Sequence, residues 1–181
     1  MFAGSEAQLL GGAVFSALIV YLAISDIRFR RLPNPVVAML ASAGIVYSIA
    51  VVGPEPLSGG LRSLAGMGVG LGVWLPFHVR GWIGAGDVKL FGAAGAWLGP
   101  ARTLEGAFLA AFAGALVALG WMLWSYGVKS TVTTISIGSV DPSALAPSRE
   151  LKDVGRTLPY GVALATGALA AGWLPRMLLF G

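Results

Sequence analysis

Residues 7–31 read AQLLGGAVFSALIVYLAISDIRFRR, and this stretch decides the fold. An uninterrupted apolar run from Ala7 to Ser25 is followed at once by an acid, Asp26, and then by Arg28, Arg30 and Arg31. A helix needs about 20 apolar residues to cross the hydrocarbon core of a bilayer, and arginines collect on the cytoplasmic side of such spans. The run therefore predicts a transmembrane helix whose far end is cytoplasmic. It lacks a basic leader, having Glu6 there instead, so it is expected to stay in the protein rather than serve as a cleaved signal.

The remainder of the chain has the same character. Of 181 residues, 56% are apolar and 11% charged, and the mean hydropathy is +0.81. A soluble domain usually carries about a quarter charged residues, so the polar surface of a water-exposed globule is missing. Five further apolar spans are predicted, at Pro35–Val52, Leu61–Val79, Val88–Leu98, Leu104–Tyr126 and Tyr160–Phe180. The fourth is too short to cross the core alone. The expected architecture is an all-α polytopic membrane protein with six transmembrane helices, forming a single domain over residues 1–181. The polar, Ser/Thr-rich segment 127–157 is expected to be a cytoplasmic loop with a short helix near Arg149–Val154.

Charge tests this layout. Alternating the spans from an external N-terminus puts Arg28, Arg30, Arg31, Arg80, Lys89, Lys129, Arg149, Lys152 and Arg156 inside. Only Arg62, Arg102 and Arg176 fall outside, which completes the chain's 12 basic residues. The net charge of +4 is thus a topology signal, and no nucleic-acid partner is implied. Turn chemistry marks the joints: Asn34 is expected to cap the second span with Pro35 as its first helical residue, and Gly53-Pro54 and Gly99-Pro100 are expected to act as breaks. The tryptophans near span ends, Trp74, Trp82, Trp97 and Trp173, fit interfacial belts.

Composition excludes several chemistries. The chain has no cysteine and one histidine, His78, so disulfides, thiolate sites and multi-histidine zinc sites are ruled out, and no metal or cofactor is implied. Among eight acids, two stand at span ends on the predicted cytoplasmic side, Asp26 and Asp87. Ionisable groups at membrane depth are rare and mark functional sites by default. Two carboxyls in one wet cavity can hydrolyse a peptide, one ionised to activate water and one protonated to polarise the carbonyl. The glycines of Gly84-Ala85-Gly86-Asp87 would leave room for a substrate backbone. Structural readings compete: Asp87 as a helix cap, Asp26 as an interfacial partner of Arg30, and Lys89 as a residue snorkelling to the inner surface.

In combination, these segments resemble a known family. Ser25-Asp26-Ile27-Arg28, Arg31-Leu32-Pro33-Asn34, Gly84-Ala85-Gly86-Asp87-Val88-Lys89-Leu90 and Leu158-Pro159-Tyr160-Gly161 occur in the order and at the span junctions of the type IV prepilin peptidases, intramembrane aspartyl proteases of the GxGD type. The resemblance implies cleavage of prepilin or pseudopilin leader peptides at the cytoplasmic face of the inner membrane, with Asp26 and Asp87 as the catalytic pair. Gly84, Gly86, Lys89, Pro33, Asn34, Pro159, Tyr160 and Gly161 would support the site. Larger members also carry a cytoplasmic segment with cysteine pairs linked to N-methylation. This chain lacks it, and so looks like the compact subgroup serving Flp/Tad pili. The main alternative is a non-enzymatic pilus-assembly scaffold subunit or a small transporter.

The topology has a direct check. Reporter fusions after Arg31, at His78 and near Ser143 are expected to read cytoplasmic, and one near Ser58 external; a cytoplasmic signal at Ser58 would mean that the spans are miscounted.

Overall fold

The structure is a computed structural model and describes residues 5–29, 32–52, 55–136 and 160–173. Six α-helices and no strands are present among them. The first, α1 (Glu6–Phe29), is followed by α2 (Asn34–Tyr47), which runs on through a π-helical turn, Ser48–Val52. Then come α3 (Pro56–Val79), α4 (Ala85–Leu98), α5 (Pro100–Ser136) and α6 (Tyr160–Trp173). The all-α membrane architecture read from the sequence is what folds. Among the described residues three helices are long and apolar enough to cross a membrane: α1, Asn34–Val52 and the Pro100–Gly120 part of α5. Although α3 is as long as α1, its glycines and Arg62 dilute its hydropathy.

Several boundaries differ from expectation. Pro33, not Asn34, is the N-cap of α2; its carbonyl accepts from the amides of Val36 and Val37, leaving the Asn34 side chain free for another partner. Glu55 caps α3, which starts at Pro56, five residues before the predicted start, with Ser58 Oγ accepting from the Glu55 amide at 3.3 Å and donating to its carbonyl at 2.8 Å. Residues 127–136, assigned to the polar loop, continue α5, which reaches 37 residues. That is roughly 55 Å of helix against a core of about 30 Å. Polar Ser and Thr lower helix propensity only slightly, and no proline interrupts the stretch, so the helix runs past its apolar section. The Gly53-Pro54 break and the short helix near Arg149–Val154 lie outside the described residues.

The 14-residue α4 is the axis of the bundle: Val88 and every residue from Leu90 to Leu98 are buried, and α2, α3, α5 and α6 pack around it. Glycine makes this possible. A Cβ on Gly66 would collide with the Gly95 carbonyl, and one on Gly95 with the Gly66 carbonyl, so α3 and α4 cross with backbones touching. One turn on, Gly70 faces Phe91 O in the same way. Small residues four apart bring helices together in this manner where lipid supplies no hydrophobic drive between them.

At its far end α4 would leave four carbonyls unsatisfied, which an apolar interior does not tolerate. The neighbours meet them. Ala96 O accepts from Ser48 Oγ at 3.2 Å and Ser63 Oγ at 2.9 Å. Arg62 reaches Leu98 O at 2.5 Å and Trp97 O at 3.5 Å, and Gly99, with φ of +75°, returns its amide to Gly95 O. Trp97 is 2% exposed, stacks on Tyr47, and donates to Leu40 O at 2.7 Å. The interfacial assignment is thereby corrected for Trp97 and for buried Trp74, whose rings fill the bundle; Trp82 and Trp173 are exposed.

Glycine pairs separate packing from propensity. Gly66→Ala is expected to lower stability by about 1–3 kcal/mol through overpacking. Gly68→Ala, which meets nothing within 4 Å, should be neutral or slightly stabilising. Thermal unfolding in detergent micelles distinguishes the two; equal effects would contradict the backbone crossing.

Candidate active site

Asp26 stands in the last turn of α1, half-buried, with buried Ser25 behind it and exposed Arg28 beyond. Its structural alternative partner, Arg30, lies outside the described residues. Asp87 is likewise half-buried and is the third residue of α4, inside the helix rather than ahead of it. Gly84 is the N-cap, in an extended conformation. Its amide donates to Asp87 Oδ2 at 3.3 Å, while its carbonyl accepts from the amides of Asp87 and Val88. Asp87 thus closes the first turn of α4 back on its cap, a role Asp takes readily at a helix start.

The α3–α4 connection sets where that turn sits. The amide of Gly81, whose φ is +76°, donates to His78 O at 2.8 Å, and the amide of Trp82 donates to Phe77 O at 3.0 Å. His78 Nδ1 pairs with Ile83 O at 3.0 Å, bracing the strand of chain that leads into Gly84. A ring nitrogen five residues from its carbonyl partner across a glycine turn leaves no periodic trace in the sequence.

The chain between α1 and α2 closes on the same spot. Gly86 has no side chain, and Leu32 fills the space: a Cβ there would lie 3.2 Å from Leu32 Cδ1. A Cβ on Gly84 would lie 3.2 Å from Asp87 Oδ2, so a side chain there would press on that carboxyl. With Leu32 seated on Gly86, the Asp26 and Asp87 carboxyls come within electrostatic reach of each other.

The supporting residues divide. Pro33 starts α2, and Asn34 Oδ1 accepts from Lys89 Nζ at 3.4 Å, tying the start of α2 to α4. Beyond this pair a cleft of about 330 Å³ opens between α2, α3 and α4, walled by Val37, Ala41, Leu71 and Ala93 among others, with Asn34 and Lys89 at one end. Neither aspartate lines it. Tyr160 and Gly161 form the first turn of α6, and Pro159 lies outside the described residues. Arg102 donates to Ala171 O while Gly167 packs on Gly106 and Ala110, so α6 runs antiparallel to α5, and Trp173 Nε1 donates to Ser16 Oγ on α1. That direction puts the Tyr160 end of α6 about 20 Å from Trp173, toward the end of the bundle holding Asp26. Among the described residues no cluster of three or more His, Asp or Glu side chains is present that could hold a metal.

Arg62 is the residue whose role was missed. Its signal was a lone cation inside a glycine-rich apolar span, an unfavourable place that demands a partner; the partner, the end of α4, is visible only in three dimensions.

Known proteins share this pattern. Residues 13–119 match the type IV leader peptidase family, a region that contains Asp26, Pro33, Asn34 and the Gly84–Lys89 segment but not Pro159–Gly161. Over 138 residues, 72% of this chain, it is 34% identical to a prepilin leader peptidase/N-methyltransferase of Escherichia coli (strain K12) and covers 59% of that protein. A Klebsiella pneumoniae protein of the same description is 30% identical over 97 residues, half of this chain and 41% of its own length. The chain therefore spans less than two thirds of the length of these relatives. No solved structure matches. With the family pattern covering more than half of the sequence and both aspartates inside it, the chain belongs to the type IV leader peptidase family.

Proposed function

We propose that this protein is an intramembrane aspartyl endopeptidase that removes leader peptides from type IV prepilins, with Asp26 and Asp87 as its catalytic pair. What supports the reading is that two half-buried acids 61 positions apart in sequence, Asp26 in the last turn of α1 and Asp87 in the first turn of α4, stand near enough for Asp26 to bear electrostatically on Asp87. In the proposed reaction one carboxylate takes a proton from water as the water oxygen attacks the scissile carbonyl carbon. The protonated partner donates to the carbonyl oxygen, where negative charge develops. When the tetrahedral intermediate collapses, the C–N bond breaks and the proton taken from water passes to the leaving amine. Half-burial limits bulk water, and the bare Cα atoms of Gly84 and Gly86 favour approach of an extended substrate backbone.

The same reading extends to placement. Residues 1–181 form one peptidase domain in the inner membrane, with the N-terminus outside and the dyad at the cytoplasmic face beside Arg28. Absence of cysteine favours prepilins of the Flp type, which the compact subgroup serves. A second reading has one observation of its own: the Gly84–Asp87 hydrogen bond is a helix-capping contact that a scaffold subunit would also need.

Substitution separates the two, because an asparagine side-chain oxygen at position 87 can still accept the Gly84 amide. Asp26→Asn and Asp87→Asn are each expected to lower prepilin cleavage at least about a hundredfold while thermal stability in detergent stays near that of the wild type. Normal cleavage by either variant would remove it from the catalytic pair. Activity is further expected to be indifferent to chelators and to serine- and thiol-directed reagents; inhibition by a chelator that added metal reverses would refute the aspartyl mechanism.

A further inference from the structure

We propose that His78 is a positioning residue for Asp87: it holds the peptide group between Ile83 and Gly84, and the amide of that group aims one oxygen of the Asp87 carboxyl. This role rests on the peptidase reading and deepens it.

His78 is half-buried in the last turn of α3, where its own backbone is fixed. The Gly81 amide donates to His78 O, and the Trp82 amide to Phe77 O. These are the two bonds of a Schellman ending, with Gly81 in the left-handed conformation that the motif requires. The Trp82 ring returns onto Phe77, with centroids 5.9 Å apart, and Phe77 lies 5.8 Å from the Trp74 ring. The end of α3 is therefore a braced post, and the imidazole stands on it.

From that post His78 Nδ1 reaches Ile83 O at 3.0 Å. A carbonyl only accepts, so Nδ1 is the ring nitrogen that carries a hydrogen and donates it. Ile83 O and the Gly84 amide are opposite ends of one planar trans peptide group. That amide donates to Asp87 Oδ2 at 3.3 Å. Imidazole, peptide plane and carboxyl thus form one chain of hydrogen bonds from α3 to α4. Gripping the carbonyl fixes how the plane is turned, and with it where the N–H points. It also polarises the peptide group, which makes the N–H a stronger donor.

The rest of this turn is held by α4 itself, since Gly84 O accepts from the amides of Asp87 and Val88. The peptide group on the amide side of Gly84 lies ahead of the helix, and with no Cβ at position 84 its rotation is little hindered. At 3.3 Å its bond to Asp87 is longer than the usual N–H···O range of about 2.7–3.2 Å, so its strength depends on aim. With Oδ2 held, the carboxyl presents one orientation to water and to the scissile carbonyl. Misplacing a reacting group by about 1 Å can cost on the order of a hundredfold in rate. The rival reading is that His78 only satisfies the carbonyl of buried Ile83. That need would register in stability, whereas a relay ending on Asp87 registers in kcat.

The test uses the purified full chain in proteoliposomes and a synthetic peptide made of a leader, a scissile bond and an apolar segment. His78→Leu and His78→Phe lose the donor, whereas His78→Asn keeps an N–H near the place of Nδ1. His78→Leu and His78→Phe are expected to lower kcat at least about tenfold with KM within about twofold of wild type, and His78→Asn to stay within about threefold in kcat. A second readout reaches the peptide group directly. Carbonyl-13C isoleucine with 15N-glycine labels two pairs, Ile83–Gly84 and Ile137–Gly138, and Ile137→Val assigns them. The Ile83 carbon and the Gly84 amide proton are expected to move upfield in His78→Leu and His78→Phe and to return in His78→Asn. Unchanged kcat in both donorless variants would overturn the proposal, as would equal losses in all three, a loss confined to KM, or an unmoved Gly84 signal. Loss of the fold by both donorless variants, read by thermal unfolding, would also overturn it by making His78 structural. Failure of wild type to cleave the peptide is a different result: it removes the peptidase reading, and the Gly84 signal still decides whether His78 holds the peptide group.

Discussion

Everything in this bundle depends on satisfying the backbone of a helix too short for the membrane that surrounds it. Fourteen residues of α4 rise roughly 21 Å, less than a core of about 30 Å, so a helix of this length cannot have both ends at the membrane surfaces. Peptide groups at that depth have no water to bond, and each must find a partner in the protein. The far end is met by Ser48, Ser63 and Arg62, drawn from the π-helical turn and from α3. At the near end Asp87 accepts the Gly84 amide, and this is also where the second acid arrives.

The two ends solve the same problem by different means. Arg62 at the far end is a fixed cation with fork geometry, suited to holding two adjacent carbonyls, and its guanidinium leaves no space for a side chain at Gly99. At the near end a carboxyl does the capping, and a carboxyl can exchange a proton. A helix terminus that stops short of the membrane surface gathers polar groups around its free peptide ends, and the glycines beside it keep neighbouring chains close.

Close helix packing explains why α4 can sit at the centre. The Gly66–Gly95 crossing brings two backbones together, and Trp97 fills the volume between α1, α2 and α4. The tryptophan was read as an interfacial residue because it lies near a span end. That reading presumes a full-length span, in which an end coincides with the membrane surface. In a helix that stops short, a residue near the end is still deep, and its indole nitrogen bonds the Leu40 carbonyl instead of a headgroup.

Much of this was legible in one dimension because membrane constraints act on local sequence. Long apolar runs, their flanking arginines and the glycine–proline joints follow from solvation and need no partner to be identified, and the segments around Asp26 and Asp87 are continuous motifs. Boundaries were less legible. Pro33 displaced Asn34 as the cap, and α5 ran on through residues 127–136, because a helix end depends on what meets its last peptide groups rather than on polarity alone. What only the tertiary structure decided is pairing across the bundle. It seated Leu32 on Gly86 so that two distant acids interact, set Lys89 against Asn34, and gave Arg62 the carbonyls of α4. Sequence periodicity describes which face of a helix is apolar or small, but in lipid nearly every face is apolar. The choice of neighbour then rests on shape and on single polar contacts, which exist only once the helices have packed.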